Sequence, residues 1–295
     1  MRRLAAIVCA CLVLAVCSDR EEPAAIGQAD PTTTATAAAP TTTTAAPATT
    51  TSPTTTTTLT SQATVATTLV AAETAIRNPA TPAAQLTALG QSQQQAYRTL
   101  VSHPEWDADV LALVPERLRA TVEANVAAGR DLAALTPPPP PDKPLPKWRI
   151  VTPEPAEVLL PLYKAAGTAA GGVGWEYLAA IHLVETRMGR IKGDSTAGAQ
   201  GPMQFIPSTW AIYGRGGDVT SNRDAIHAAA RYLKATGAPA DMARALRAYN
   251  NSARYVRAVT AYAAQMEADE RAYLGYHAWQ VYYGARLLVE GTVID

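Results

Sequence analysis

The sequence predicts a mainly α-helical protein behind a long, weakly charged N-terminal segment. Three observations predict it. Apolar residues recur at helical spacing in two blocks, 65–135 and from Trp148 through the 260s. Pro, Ser, Asp and Gly stand where helices start and stop. A strand-like run appears only near the end, at Trp279-Gln280-Val281-Tyr282-Tyr283 and Leu287-Leu288-Val289 around Gly284, and suggests a short β-hairpin.

The totals narrow the function classes. The chain has 295 residues, enough for one or two domains. Its 25 basic and 25 acidic residues cancel, so there is no global nucleic-acid signature and no nucleic-acid partner is expected. The balance is uneven, however. Residues 142–260 hold 15 Lys/Arg against 9 Asp/Glu, a net of +6. Such a basic middle suits an anionic polymer, or is a solvated surface. Cys9, Cys11 and Cys17 all lie in the first 17 residues, so the body has no disulfide, thiol nucleophile or Cys metal site.

Residues 1–17 read as a signal peptide. Arg2 and Arg3 precede an apolar run, Leu4 to Val16, too short to span a bilayer permanently. Leu14-Ala15-Val16-Cys17 resembles a bacterial lipobox, with Val16 where a small residue is usual. The resemblance implies lipidation of Cys17 and a membrane contact through that anchor, with plain secretion as the alternative. Residues 18–64 are mostly Thr, Ala and Pro and bury too little apolar surface to order themselves, so a disordered tether is expected.

Residues 65–135 form the expected N-terminal helical region. Thr81-Pro82 looks like a helix start, followed by Leu86, Leu89, Gln93, Ala96, Tyr97 and Leu100 at helical spacing. Pro104 and Pro115 each open another helix, the second running to Leu135. Nothing in this region reads as chemistry. Residues 136–147, with five consecutive prolines at 137–141, are expected to be an extended linker. Residues 148–295 then form the domain expected to carry function.

Within it, Trp175 to Met188 reads as an amphipathic helix that Gly189 stops. Leu178, Ile181, His182 and Glu185 fall on one otherwise apolar face. Glu185 is therefore partly desolvated and sits at the negative end of the helix dipole. Both favour its protonated form, as general-acid catalysis requires. The competing structural reading pairs it with Arg187 or Arg190, and His182 reads as a packed core residue. A Gly-rich loop follows, Ser195 to Trp210, in which Gly201 permits unusual backbone, Gln204 offers donor and acceptor, and Ser208 can cap the next helix. Further on, an Ala-rich helix ends at Gly237. Another opens at Pro239-Ala240-Asp241 and ends at Tyr249-Asn250-Asn251, and Ser252 caps a third.

Glu185-Thr186, Gly201-Pro202-Met203-Gln204 and Ala248-Tyr249-Asn250 resemble, in order, three motifs of the lytic murein transglycosylases. Gly-Pro-Met-Gln-Phe-Ile-Pro-Ser-Thr-Trp looks most like their membrane-bound B-type branch. The resemblance covers roughly residues 155–290. It implies a lysozyme-like catalytic domain of the goose type acting on peptidoglycan glycan strands, with other cell-wall enzymes as candidate partners. It further implies that Glu185 protonates the bond between N-acetylmuramic acid and N-acetylglucosamine. Glu185 then acts as base while the muramoyl C6 hydroxyl closes a 1,6-anhydro ring. Ser195, Gly201 and Gln204 match positions lining the glycan cleft, and Met203 a position packing on a sugar face. Tyr249 and Asn250 match the motif that holds the glutamate or the sugar.

Tyr213 to Val219 is shorter and less acidic than the Asp/Gly-rich loop of that branch, so no metal and no cofactor are expected. Two other readings stay open on the sequence. One is a hydrolytic muramidase using Asp194 or Asp218 to activate water. The other is a non-catalytic, glycan-binding lipoprotein. Tyr276, Trp279 and Tyr283 read as core or as a sugar platform.

Overall fold

A computed structural model of the protein describes residues 59–136 and 147–293. The expected signal peptide, the lipobox at Cys17, the tether up to residue 58 and the prolines at 137–146 lie outside the described residues. Among the described residues no helix is long and apolar enough to cross a membrane.

The described chain is mainly α, as the periodicity predicts. α1 (Gln62–Arg77) begins inside the stretch assigned to the tether, because the Ser61 side chain accepts from the Thr64 N–H and caps it. α2 (Ala83–Ser102) follows Pro82, which stands at the cap. A single 3-10 turn (Pro104–Trp106) leads into α3 (Asp107–Leu113), and α4 (Glu116–Leu135) follows Pro115.

In the second described segment, β1 (Arg149–Ile150) pairs antiparallel with β2 (Ile191–Lys192), a sheet that the sequence reading missed. Between them lie α5 (Ala156–Ala169) and α6 (Trp175–Thr186). α7 (Pro207–Tyr213) starts with Pro207 at its first position and Ile206 before it, so Ser208 is not its cap. α8 (Asn222–Thr236) is capped by Ser221 and ends at Gly237. α9 (Met242–Tyr249) is capped by Asp241 and α10 (Ala253–Ala268) by Ser252. α11 (Ala272–His277) precedes the expected hairpin, β3 (Val281–Tyr283) against β4 (Arg286–Leu288).

α6 is the centre of the fold. Its sequence has charges only at Glu176 and Glu185, and every residue from Leu178 to Thr186 is buried. The amphipathic expectation is therefore corrected: a helix apolar on all sides is a core helix. α5, α8, α10 and α11 all pack on it.

The N-terminal helices share that core. α10 packs on α6 and also on α4, and α2 packs on α11. Gly90 of α2 makes the second approach feasible. A Cβ there would lie 2.5 Å from the Gly275 carbonyl oxygen and 2.6 Å from the Ala278 Cβ. Polar ties reinforce the contact. Glu73 of α1 is fully buried and accepts from Arg77, Tyr97 and Gln93, and Gln93 in turn accepts from the Trp279 indole at 3.0 Å. Arg257 pairs with Asp131 across α10 and α4. Tyr276, Trp279 and Tyr283 are buried, so they are core and not an exposed sugar platform. Trp148, Ile150, Ile191, Val281, Tyr283 and Leu288 form a second, smaller core between the two sheets.

Candidate active site

Glu185 lies in the last turn of α6 and is 2% exposed. Beyond Thr186 the backbone turns through three positive-φ residues, Arg187 (53°), Met188 (59°) and Gly189 (80°). The N–H groups of Arg187 and Met188 return to the carbonyls of Leu183 and His182. This closes the helix sharply, two residues beyond Glu185. Arg190, one of the two basic neighbours considered for Glu185, donates to the His277 carbonyl instead, and Arg187 donates to the Leu183 carbonyl.

The partner that the sequence reading missed is Tyr255. It is fully buried in the first turn of α10, and its hydroxyl donates to Glu185 Oε1 at 2.9 Å. A signal was present. Tyr255, Val259, Tyr262 and Met266 form one buried stripe of α10, and a buried tyrosine hydroxyl needs a polar partner.

Next to Glu185, Thr186 ties the helix to the Gly-Pro-Met-Gln loop. Its hydroxyl donates to the Pro202 carbonyl at 2.6 Å and accepts from the Gly189 N–H at 3.1 Å. The loop itself is closed by paired bonds between Gln200 and Phe205, each 2.9 Å. Gly201 has φ 71°, and a Cβ there would lie 1.9 Å from the Val219 carbonyl oxygen. No other residue type fits that point without moving backbone. Gln204 is also left-handed (φ 50°), 7% exposed, and its side-chain amide donates to the Gly201 carbonyl at 2.9 Å.

Met203 is fully buried, so its side chain packs into the core and offers no face to a sugar here. Its carbonyl accepts from the Tyr249 hydroxyl at 2.6 Å. Tyr249 therefore clamps the loop, ringed by Phe205, Tyr232 and Tyr255; the last lies parallel to it with centroids 6.5 Å apart. Asn250 caps α9 and is 7% exposed.

Ser195 is half-buried and organises the preceding turn, where its hydroxyl accepts from the Ala199 N–H at 2.9 Å. The structure thus brings Glu185, Gly201, Met203, Gln204 and Tyr249 into one bonded unit through Thr186 and Tyr255. Asn250 joins it by position at the end of α9, while Ser195 stands on the adjoining turn.

His182 is a core group. It is fully buried, shares a 2.7 Å hydrogen bond with the Tyr163 hydroxyl, and is held neutral: burial, then the charges of Lys192 and His277, lower its pKa to about 3. Among the described residues no group of three or more His, Cys, Asp or Glu side chains is arranged to hold a metal ion. Asp218 is engaged by the Thr220 N–H and hydroxyl, which hold its carboxyl below the usual range.

No curated protein and no solved structure matches the chain. The family model described as "Transglycosylase SLT domain" matches residues 163–272. That span runs from Tyr163 in α5 to Ala272 at the start of α11 and contains every residue of the bonded unit just described. Over these residues the chain is similar to the transglycosylase SLT domain, which supports a lytic transglycosylase family with peptidoglycan as the implied substrate.

Proposed function

We propose that the protein cleaves the β-1,4 bond between N-acetylmuramic acid and N-acetylglucosamine without water, with Glu185 as acid and then base. The observation that carries this reading is the placement of Glu185, a buried carboxyl in the last turn of a core helix, oriented by the Tyr255 hydroxyl. Burial and the helix terminus both disfavour a bare negative charge there, which suits a group that must deliver a proton.

In the proposed reaction the Glu185 proton passes to the glycosidic oxygen and the bond from that oxygen to muramoyl C1 breaks. The muramoyl N-acetyl group shares the positive charge that develops. The C6 hydroxyl oxygen then bonds to C1, and its proton returns to Glu185. No atom is gained or lost, so a second carboxylate to activate water has no role. Tyr255 is a positioning residue, since it holds the carboxyl through Oε1. Gln204 and Ser195 are assigned to the glycan, and Asn250 to the sugar or the glutamate. The wording of the Glu185-Thr186 and Gly201–Trp210 segments supports the membrane-bound B-type branch.

Glu185→Gln tests the assignment. The variant keeps the shape of the side chain and its place beside Tyr255. Release of soluble fragments from purified peptidoglycan should fall by about 10²–10⁴-fold, the usual worth of a general acid–base. Undiminished release would remove Glu185 from the mechanism.

We also read the protein as extracytoplasmic, held at the outer face of the membrane by a lipid on Cys17, with secretion as the alternative. Cys17→Ser should move the protein from the membrane fraction to the soluble fraction. An unchanged distribution would contradict the anchor.

A further inference from the structure

A second cluster of chemistry lies on α8. Arg223, His227 and Arg231 follow at four-residue intervals and so share one face. Arg215, from the turn after α7, joins them. With Gly214, Gly217 and Asp224 these side chains line a recess of about 280 Å³. Arg231 anchors one wall, since its Nε and Nη2 both donate to the Tyr213 carbonyl, at 2.8 and 2.6 Å. Asp224 is the acidic group of the lining, and its carboxylate already accepts from the Asp218 N–H at 2.9 Å.

Among the described residues no ion pair involves Arg215, Arg223, His227 or Arg231. Three guanidiniums against one carboxylate leave a net +2 in a small concave space. The field is felt locally: burial, then Arg231 and Arg223, hold the His227 imidazole below its usual pKa, with Asp224 opposing. An excess of guanidiniums over carboxylates suits an incoming anion, and arginine forks match the two oxygens of a carboxylate.

The recess adjoins the candidate active site. The turn that carries Arg215 continues to Val219, whose carbonyl packs directly on Gly201 of the loop beside Glu185. α7 bridges the two, with Trp210 against Phe205 at its middle and Tyr213 against Tyr232 at its end.

We propose that this recess is a subsite for oxyanions, and that it takes carboxylates of the peptide substituents carried by the glycan strand. The occupant follows from the reading of the substrate given under Proposed function; the oxyanion chemistry stands on the recess itself.

Affinity for surface-immobilised glycan strands tests it. The full chain is used in a Glu185→Gln background to limit cleavage, with and without Arg215→Gln and Arg223→Gln, two exposed positions outside the core. Three strand preparations are compared: intact, stripped of peptides, and stripped of phosphodiester polymers. The double substitution should weaken binding to intact strands about tenfold, the equivalent of two partly exposed charge contacts. On peptide-free strands it should change nothing. Equal affinity of the two proteins for intact strands overturns the proposal, as does absence of binding to any preparation. A loss that follows removal of phosphodiesters instead of peptides overturns the assigned occupant. Failure of the catalytic reading shows separately, as an absence of cleavage products from the protein with Glu185 intact.

Discussion

A carboxyl buried at the end of a helix is costly to keep there unless a donor holds it. For Glu185 the Tyr255 hydroxyl is such a donor, and a hydrogen bond of this kind contributes about 0.5–1.5 kcal/mol net, while leaving a buried group unsatisfied costs about 1–3 kcal/mol. Tyr255→Phe should therefore keep the fold, lower stability by about 1–3 kcal/mol, and lower kcat about tenfold or more with little change in KM. A variant with wild-type kcat would show that the contact does not position the acid. His182, three residues earlier, makes a different prediction. Its pKa falls from 6.5 to about 3 on folding, so the folded state excludes a proton that the unfolded state binds. Stability from this source is complete above about pH 6.5 and falls as pH drops toward 3, by about 1.4 kcal/mol per pH unit. His182→Gln should flatten the acid limb of a stability–pH profile by about that slope. An unchanged slope would mean that other groups carry it.

At the scale of elements, the site is a helix end and a loop joined by one hydroxyl. Thr186→Val removes the bond to the Pro202 carbonyl and leaves that oxygen and the Gly189 N–H without it, in a buried place. The cost should be about 1–3 kcal/mol in thermal or denaturant unfolding. Gly201→Ala should cost at least as much, because its φ is left-handed and the Val219 carbonyl fills the space a Cβ needs. Wild-type stability in either variant would show that the loop is not held as described. The elements around this junction were legible where their signals are local. Ser252, Asp241 and Gly237 mark caps by their own chemistry, and the aromatic run after Trp279 marks a hairpin. Tyr255 and Thr186 were not assigned their roles, because each acts through a partner distant in the chain: Glu185 and Pro202 lie 70 and 16 residues away. β1 and β2 left no periodic trace, since strands of two residues are too short to show alternation. The burial of α6 on every side depends on α8, α10 and α11, which come much later in the chain.

At the scale of the molecule, the N-terminal helices meet the site through α10, on which α4 packs. That helix presents Tyr255 toward Glu185 and packs on both α4 and α6, so what braces α4 also braces the Tyr255–Glu185 contact. The buried Glu73 network ties α1 and α2 to Trp279 at the far end of the chain. Glu73→Ala removes the shared acceptor of Arg77, Gln93 and Tyr97, leaving Arg77 with Asp269 at 3.9 Å and Gln93 with Trp279, and should cost about 3 kcal/mol, with loss of activity tracking loss of fold. Partial unfolding of the N-terminal helices with full activity retained would contradict this bracing role. The proposed reaction is tested most directly by the mass of its products. Purified protein incubated with peptidoglycan should release muramoyl fragments with 1,6-anhydro ends, one water lighter than reducing ends. Fragments with ordinary reducing ends, carrying that water, would contradict intramolecular ring closure and make the reaction a hydrolysis.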